Sequence, residues 1–262
     1  MCRLLGYLGS PILLDYLLNK PEHSLVVQSY QPREMTSGVV NADGFGMGWY
    51  HPQKETDPFI YKNTLPIWAD VNLPNLSRYI ESGCVLANIR SATEGQATDL
   101  SNSQPFRYKQ WLFTHNGSIQ NFRQTLYRPI RDRLNDIAYQ AIEGNTDSEH
   151  IFALLINQLT SVPDITLEKA VYNTLTTLAQ LAEPDQLKIS ANLIITDGHR
   201  LVASRFAKTT SNPSLYWLRD DPTFPEAVIL ASEPLFAGNW ISCPENSIIS
   251  VGEDLDIQIH QL

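Results

Sequence analysis

Met1-Cys2-Arg3-Leu4-Leu5-Gly6-Tyr7-Leu8-Gly9 opens the chain, and Ser10-Pro11 follows. A short, almost wholly apolar run bounded by turn residues reads as a buried strand. The expectation is a strand over Cys2 to Gly9, a Gly-Ser-Pro turn, and a short amphipathic helix from Ile12 to Leu18. The chain then begins inside its own core, with Cys2 at the entrance. Removal of Met1 leaves the Cys2 thiol and a free α-amino group on one residue. An α-amino group has a reference pKa of about 7.7–8.0, so part of it is unprotonated near neutral pH and can act as base for the thiol. The same residues also suit a small side chain entering a core strand, so the rest of the sequence decides between the two.

Working outward, Gly44-Phe45-Gly46-Met47-Gly48-Trp49-Tyr50 alternates glycine with large side chains. In a strand, that puts every glycine on one face, which lies close against another layer or a ligand. Further strands are expected at Phe59–Lys62, Cys84–Arg90, Trp111–His115, Lys188–Thr196, Leu201–Phe206, Leu215–Leu218, Ala227–Ala231, Ile248–Val251 and Asp256–His260. Helices are expected over Leu73–Glu81, Asn121–Leu134, Asp147–Leu159 and Ile165–Ala182, while Ser24 to Gly38 reads as polar and irregular. The last helix has one apolar stripe, Leu167, Val171, Leu175, Leu178 and Leu181. Ile151 to Ile156 is apolar nearly all round and predicts a helix enclosed between layers. Strands at both ends and helices in the middle imply two packed sheets with helices outside, not an alternating βα barrel.

No Pro/Gly/Ser-rich linker or charge block divides the 262 residues, so residues 1–262 read as one domain. With 19 Lys+Arg against 28 Asp+Glu, a net charge of −9 and no dense basic run, nucleic acid is not an expected partner. The three cysteines, Cys2, Cys84 and Cys243, are sparse and lack the close pairs that zinc sites favour. They fit a reducing cytoplasm and not a disulfide framework. Asp15 interrupts the first apolar stretch, no small-residue cleavage site follows it, and nowhere do eighteen uncharged apolar residues run together. Neither a secretory signal nor a membrane-spanning helix is expected.

Three polar clusters end apolar strands, where a rigid scaffold presents functional side chains. Val85 to Ile89 runs into Arg90-Ser91-Ala92-Thr93, and an arginine there offers a planar fork for a carboxylate, or pairs internally with an aspartate. Trp111 to His115 runs into Asn116-Gly117. A side-chain amide beside a glycine N–H gives two neutral donors for a developing oxyanion, although Asn-Gly is also a common turn dipeptide. His115 itself reads as structural. Thr146-Asp147-Ser148-Glu149 precedes the enclosed helix and matches a capping box, with Asp147 in the first turn, where a carboxylate also suits a substrate ammonium. Nucleophile with base, carboxylate fork, oxyanion donors and ammonium-binding carboxylate together describe a site for the two charged ends of an amino acid whose side-chain amide reaches the thiol.

These clusters, in this order, resemble the class-II glutamine amidotransferases among the N-terminal nucleophile hydrolases. The family's Met-Cys start, Arg-x-Ala-Thr, His-Asn-Gly and Thr-Asp-Ser-Glu are met by Met1-Cys2, Arg90 to Thr93, His115 to Gly117 and Thr146 to Glu149. The resemblance implies an α+β fold, a four-layer αββα sandwich. It also implies Cys2 as nucleophile, Asn116 and Gly117 as oxyanion hole, Arg90 on the α-carboxylate and Asp147 on the α-ammonium of a γ-glutamyl group, with Thr93 nearby. A narrower likeness, to the ergothioneine-pathway amidohydrolases of the EgtC group, is carried by Cys2-Arg3-x-Leu5-Gly6-Tyr7, His23-Ser24-Leu25-x-Val27-Gln28-Ser29, Asn41-Ala42-Asp43-Gly44-Phe45-Gly46 and Ala231-Ser232-Glu233-Pro234-Leu235. That group removes glutamate from γ-glutamyl-hercynylcysteine sulfoxide, and Trp49 or Trp68 would then be candidates for a cage around a trimethylammonium group. Where many family members read His-Gly after Ala-Thr and Asn-x-His-Pro further on, this chain has Glu94 and Asn102-Ser103-Gln104-Pro105; neither is an assigned catalytic group, and the resemblance leaves the acceptor side of the pocket open to differ. No ATP-binding glycine loop or metal-ligand spacing occurs, so no cofactor and no metal is expected. A chain of this length favours hydrolysis of a small γ-glutamyl substrate. The alternatives are a glutaminase subunit serving a separate synthase, a glutathione-type γ-glutamyl peptidase, or a γ-glutamyl-binding protein without turnover.

Overall fold

The computed structural model describes residues 2–35, 38–51, 55–92 and 98–262. Its strands are β1 (Arg3–Leu13), β2 (Phe45–His51), β3 (Glu55–Asn63), β4 (Glu81–Ile89), β5 (Phe106–Tyr108), β6 (Trp111–Ile119), β7 (Ile189–Thr196), β8 (Leu201–Arg205), β9 (Ala207–Lys208), β10 (Tyr216–Asp221), β11 (Phe224–Ala231), β12 (Ile241–Ser242), β13 (Ser247–Val251) and β14 (Ile257–Gln261). The helices are α1 (Asp15–Leu18), α2 (Leu25–Tyr30), α3 (Leu73–Ser77), α4 (Tyr127–Arg131), α5 (Asp136–Gln140), α6 (Asp147–Ser161) and α7 (Leu167–Ala182). One antiparallel sheet has the order β12-β10-β11-β1-β4-β2-β3, and the second runs β14-β13-β8-β7-β6-β5 with β9 against β7.

Strand alternation sorts the apolar side chains into three cores. Leu5, Tyr7, Phe45, Met47, Val85 and Ala87 pack outward under α1, α2 and α3. Leu4, Leu8 and Leu86 meet Leu112, Ile194 and Ala203 between the sheets. Phe113, Leu193 and Ile195 pack outward under α6 and α7. The result is the four-layer αββα sandwich that the resemblance implied. Each fully buried Leu, Ile or Val contributes about 1.5–3 kcal/mol. The α7 stripe is as expected, and α6 is buried throughout Asp147–Ile156, enclosed by β6 and the neighbouring helices α4, α5 and α7.

The glycine face of β2 lies against the second sheet. A Cβ at Gly48 would stand 2.6 Å from Leu112 Cδ1, and one at Gly46 would collide with the Gln104 carbonyl. Phe45, Met47 and Trp49 consequently point away from the second sheet, so Trp49 belongs to the outer core and packs on Phe59 at 5.1 Å. It cannot serve a site between the sheets. Cα atoms of the neighbouring β4 and of β6 approach to within 8 Å, closer than the usual sheet spacing of about 10 Å.

Several expectations are corrected. Gly9-Ser10-Pro11 is not a turn: β1 continues to Leu13, with its register against β4 shifted between Leu8 and Ile12, a bulge that accommodates a proline. The expected Ile12–Leu18 helix shrinks to α1. Ser24 to Gly38 is not wholly irregular, because Ser24 accepts the Val27 N–H and starts α2. The Leu73–Glu81 helix stops at Ser77, beyond which the Ile80 carbonyl takes the Leu14 N–H. The Asn121–Leu134 helix is reduced to turns and α4, with Asn121 at φ 50° and Pro129 unable to donate a helical N–H. Cys2, Cys84 and Cys243 are all free thiols, and among the described residues no helix is long and apolar enough to cross a membrane.

Candidate active site

Register places the candidate residues. Arg3 pairs with Ile89 and Phe45 pairs with Ile89, so one step further along the three strands Cys2, Arg90 and Gly44 form a row at one end of the first sheet. Cys2 shares the inward face with Leu4, and its Sγ accepts the Ser91 N–H at 3.4 Å. Arg90 is buried, its N–H donates to Gly44 O at 2.8 Å, and its Nη1 donates to Asp43 O at 3.4 Å. The Asp43 carboxylate in turn accepts the Ala92 N–H at 2.8 Å. The Asn41 to Gly44 turn therefore wraps the base of the arginine. Gly44 has φ 107°, and a Cβ there would stand 2.9 Å from Asn63 O.

The second sheet carries the other candidate residues, Asn116 and Gly117, in β6. Gly48 sits over Leu112 and Gly46 over Gln104, whose amide brackets His115, and a Cβ at Gly44 would meet Ser103 Oγ at 3.2 Å. Gln104 Nε2 donates to His115 O at 3.0 Å and its Oε1 accepts the His115 N–H at 2.5 Å, a side chain acting as a strand partner that fixes β6 at this point.

Asn116-Gly117 is not a turn. Both residues lie within β6, Asn116 opposite Asn192 and Gly117 opposite Ala191. The Asn116 side chain is 0% exposed, and neither its Nδ2 nor its Oδ1 has a hydrogen-bond partner among the described residues. A buried amide without a partner costs about 1–3 kcal/mol, so a donor left open here is a cost the fold carries. A Cβ at Gly117 would overlap Ser190 O and stand 2.6 Å from His115 Nε2.

His115 is structural, as expected. Its Nε2 faces Ser190 O at 3.2 Å, hence carries the hydrogen, and its Nδ1 accepts from Ser148 Oγ at 2.8 Å. Burial pushes its pKa down, keeping the ring neutral. Asp147 opens α6 behind the N-cap Thr146. Its Oδ2 accepts the Ile119 N–H and its Oδ1 the Ser148 N–H, both at 2.9 Å, which ties the helix start to the end of β6. The capping box is half made: Thr146 accepts the Glu149 N–H at 3.2 Å, but the Glu149 carboxylate turns to the Glu143 and Gly144 amides at 2.7 and 2.8 Å. Thr93 and Glu94 lie outside the described residues.

A model of the family described as class-II glutamine amidotransferases matches residues 1–242. The chain belongs to that family. As a class-II glutamine amidotransferase it is a hydrolase acting on an amide. It is 30% identical to the γ-glutamyl-hercynylcysteine sulfoxide hydrolase of Mycolicibacterium smegmatis, with 96% of each chain covered. It is also 30% identical to a probable glutamine amidotransferase, DUG3, of Saccharomyces cerevisiae, covering 96% of this chain and 82% of that protein. A class-II glutamine aminotransferase domain protein from Silicibacter pomeroyi shares the fold at TM-score 0.72 and 22% identity, covering 100% of this chain and 99% of that one. The glutamine phosphoribosylpyrophosphate amidotransferase of Bacillus subtilis does so at TM-score 0.66 and 16% identity, with 99% of this chain but 49% of that one covered.

Asp43 and Gln104 stand within the sequence motifs with no catalytic role legible from sequence. Asp43 accepts from the arginine at the end of the neighbouring strand β4 through its backbone carbonyl, and Gln104 bonds a strand it does not belong to. A short polar side chain before Gly44 and the Gln-Pro pair were the only signals. Trp68, the other cage candidate, is 44% exposed and meets Tyr30 edge-on at 6.0 Å.

Proposed function

We propose that this chain cleaves γ-glutamyl amides through a Cys2 thioester. The observation that supports the reading is the Asn116 amide, buried without a partner among the described residues, together with Cys2 and Arg90 in one row at the end of the first sheet. With Met1 removed, the α-amino group accepts the thiol proton while sulfur attacks the γ-carbonyl carbon. The oxyanion takes hydrogen bonds from Asn116 Nδ2 and the Gly117 N–H, donors held in place before charge develops. The ammonium returns the proton to the leaving amine, the C–N bond breaks, and a thioester remains. Water then attacks the thioester, the α-amino group takes its proton, and glutamate leaves as the thiol re-forms. Arg90 suits the α-carboxylate by its planar fork, and Asp147 and Thr93 complete the grip on the glutamyl end. All groups belong to residues 1–262, which we read as one domain, and the scheme needs no cofactor.

For the acceptor, γ-glutamyl-hercynylcysteine sulfoxide is the substrate we favour, supported by the quoted motifs and by the mycobacterial-type hydrolase that matches over 96% of both chains. Glutamine, with ammonia passed to a separate synthase, is the second reading, supported by the yeast glutamine amidotransferase at the same identity. Glutamate release from the sulfoxide, glutamine and glutathione separates them. Preference for the sulfoxide supports the first and preference for glutamine the second, and no release from any of the three would sink the amidase reading.

A further inference from the structure

Three motifs that the site does not use, Arg3, His23 with Gln28, and Glu233, converge with Asn41 of the turn below Arg90 in one buried network on the other face of the first sheet. Glu233 is 0% exposed and follows β11. Its Oε1 lies 3.2 Å from Arg3 Nε, in an ion pair too bent for a straight hydrogen bond, and its Oε2 accepts from His23 Nε2 at 2.6 Å. The same carboxylate takes the Arg33 and Glu34 amides at 2.8 and 3.0 Å. Burial pushes Glu233 up, but His23, the two amides and Arg3 outweigh it and hold the group below its ordinary range, so it is ionised. Burial lowers Arg3, against the raising influence of Glu233.

Two arms lead from this carboxylate to the candidate site. Arg3 is the residue after Cys2, and chain termini fray unless tied down. Once Met1 is gone, Cys2 is a terminus, and the Arg3 anchor together with the Leu4 N–H to Ser232 Oγ bond at 3.0 Å pins the residues behind it. The second arm runs through α2. Gln28 Nε2 donates to His23 O at 2.9 Å, Asn41 Nδ2 donates to Gln28 O at 3.4 Å, and the Asn41 N–H donates to Ser29 O at 2.6 Å. Two residues on, Asp43 holds Arg90 and Ala92.

We propose that Glu233 is a positioning residue for the amidase reaction, fixing Cys2 through Arg3 and the Arg90 wall through His23, α2 and Asn41. It touches no substrate. The inference rests on the reading of Cys2 as nucleophile and Arg90 as carboxylate fork.

The test compares wild type, Glu233→Gln, His23→Leu and His23→Gln. The readouts are kcat and KM for the γ-glutamyl substrate, thermal unfolding, and the rate of Cys2 labelling by two reagents. One is a chloromethyl ketone analogue of glutamine, which needs the assembled site, and the other is iodoacetamide, which needs only the thiol. An ångström-scale misplacement costs about 10²-fold in rate. Glu233→Gln should lose about 10²-fold in kcat/KM and in chloromethyl ketone labelling, with iodoacetamide labelling within about two-fold of wild type at temperatures where it is folded. His23→Leu should show a smaller loss of the same kind, and His23→Gln, which restores an N–H donor, should recover most of it. Turnover and labelling of Glu233→Gln and His23→Leu within two-fold of wild type would overturn the proposal. So would a Glu233→Gln loss that merely follows unfolding while His23→Leu keeps full kcat/KM. Failure of the chloromethyl ketone to label wild-type Cys2 would overturn the underlying amidase reading, and this inference with it.

Discussion

Substituting Asn116 by leucine should separate stability from activity in opposite directions. Asn116 is fully buried between the sheets, beside the inter-sheet core of Leu4 and Leu112, with both amide atoms unpartnered among the described residues. An unpaired buried amide carries a desolvation penalty of about 1–3 kcal/mol, and replacing it by an apolar group of similar branching removes that penalty. Leucine is larger, so part of the gain is lost to tighter packing. The net expectation is a fold unchanged or up to about 1 kcal/mol more stable, a rise in Tm of about 2–4 °C for a chain of this size. Turnover should fall in the other direction, because removing one oxyanion donor costs about 10²–10³ in kcat. Urea unfolding and steady-state glutamate release on the same preparation measure both. A variant that loses 2 kcal/mol or more of stability while keeping turnover would refute the reasoning, since Asn116 would then be a structural amide.

Gly117→Ala should fail for a different reason, as its Cβ would overlap the Ser190 carbonyl, and a loss of about 1–3 kcal/mol in urea unfolding is expected. Asp147→Asn keeps the size of the side chain but removes its charge, so KM for the γ-glutamyl substrate should rise on the order of 10–10²-fold, the loss of one charged hydrogen bond, with α6 helicity retained by circular dichroism. His150 is neutral in the fold: its Nδ1–H donates to Thr146 O at 2.7 Å, its Nε2 accepts from Arg131 Nε at 2.9 Å, and burial lowers its pKa to about 4. Because the unfolded chain takes up this proton first, near pH 6.5, the contribution is complete above that pH and is lost as pH falls toward 4. Between pH 7 and 5 it amounts to about 2 kcal/mol, and His150→Gln should reduce the acid loss in urea unfolding by that much.

Periodicity revealed most of the strands and both long helices, because apolar stripes as long as Leu167–Leu178 admit one buried face. It failed where tertiary contacts overrode local signals. Gly9-Ser10-Pro11 carries turn chemistry, yet a bulge against β4 lets the strand pass through it. Leu25-Val26-Val27 has β-branched residues and reads poorly as helix, but the Ser24 cap and burial of Leu25 against the first sheet decide for α2. Asn116-Gly117 reads as a turn in isolation, whereas the close approach of β7 requires a glycine within a strand. The candidate arginine and amide were visible as polar residues ending apolar runs, the nucleophile as a cysteine opening one, and the carboxylate as a residue of the helix start at Thr146–Glu149. Their supports were not: Glu233 reaches Arg3 across 230 positions and Gln104 brackets a strand after its own loop, pairings that no local pattern encodes.

The central claim is most directly tested at Cys2. Intact-mass analysis of the purified protein, before and after reaction with the γ-glutamyl chloromethyl ketone, should show Met1 absent and one adduct mapping to Cys2, and Cys2→Ala should unfold like wild type yet release no glutamate. Retention of Met1 in an active preparation, or turnover by Cys2→Ala, would contradict it.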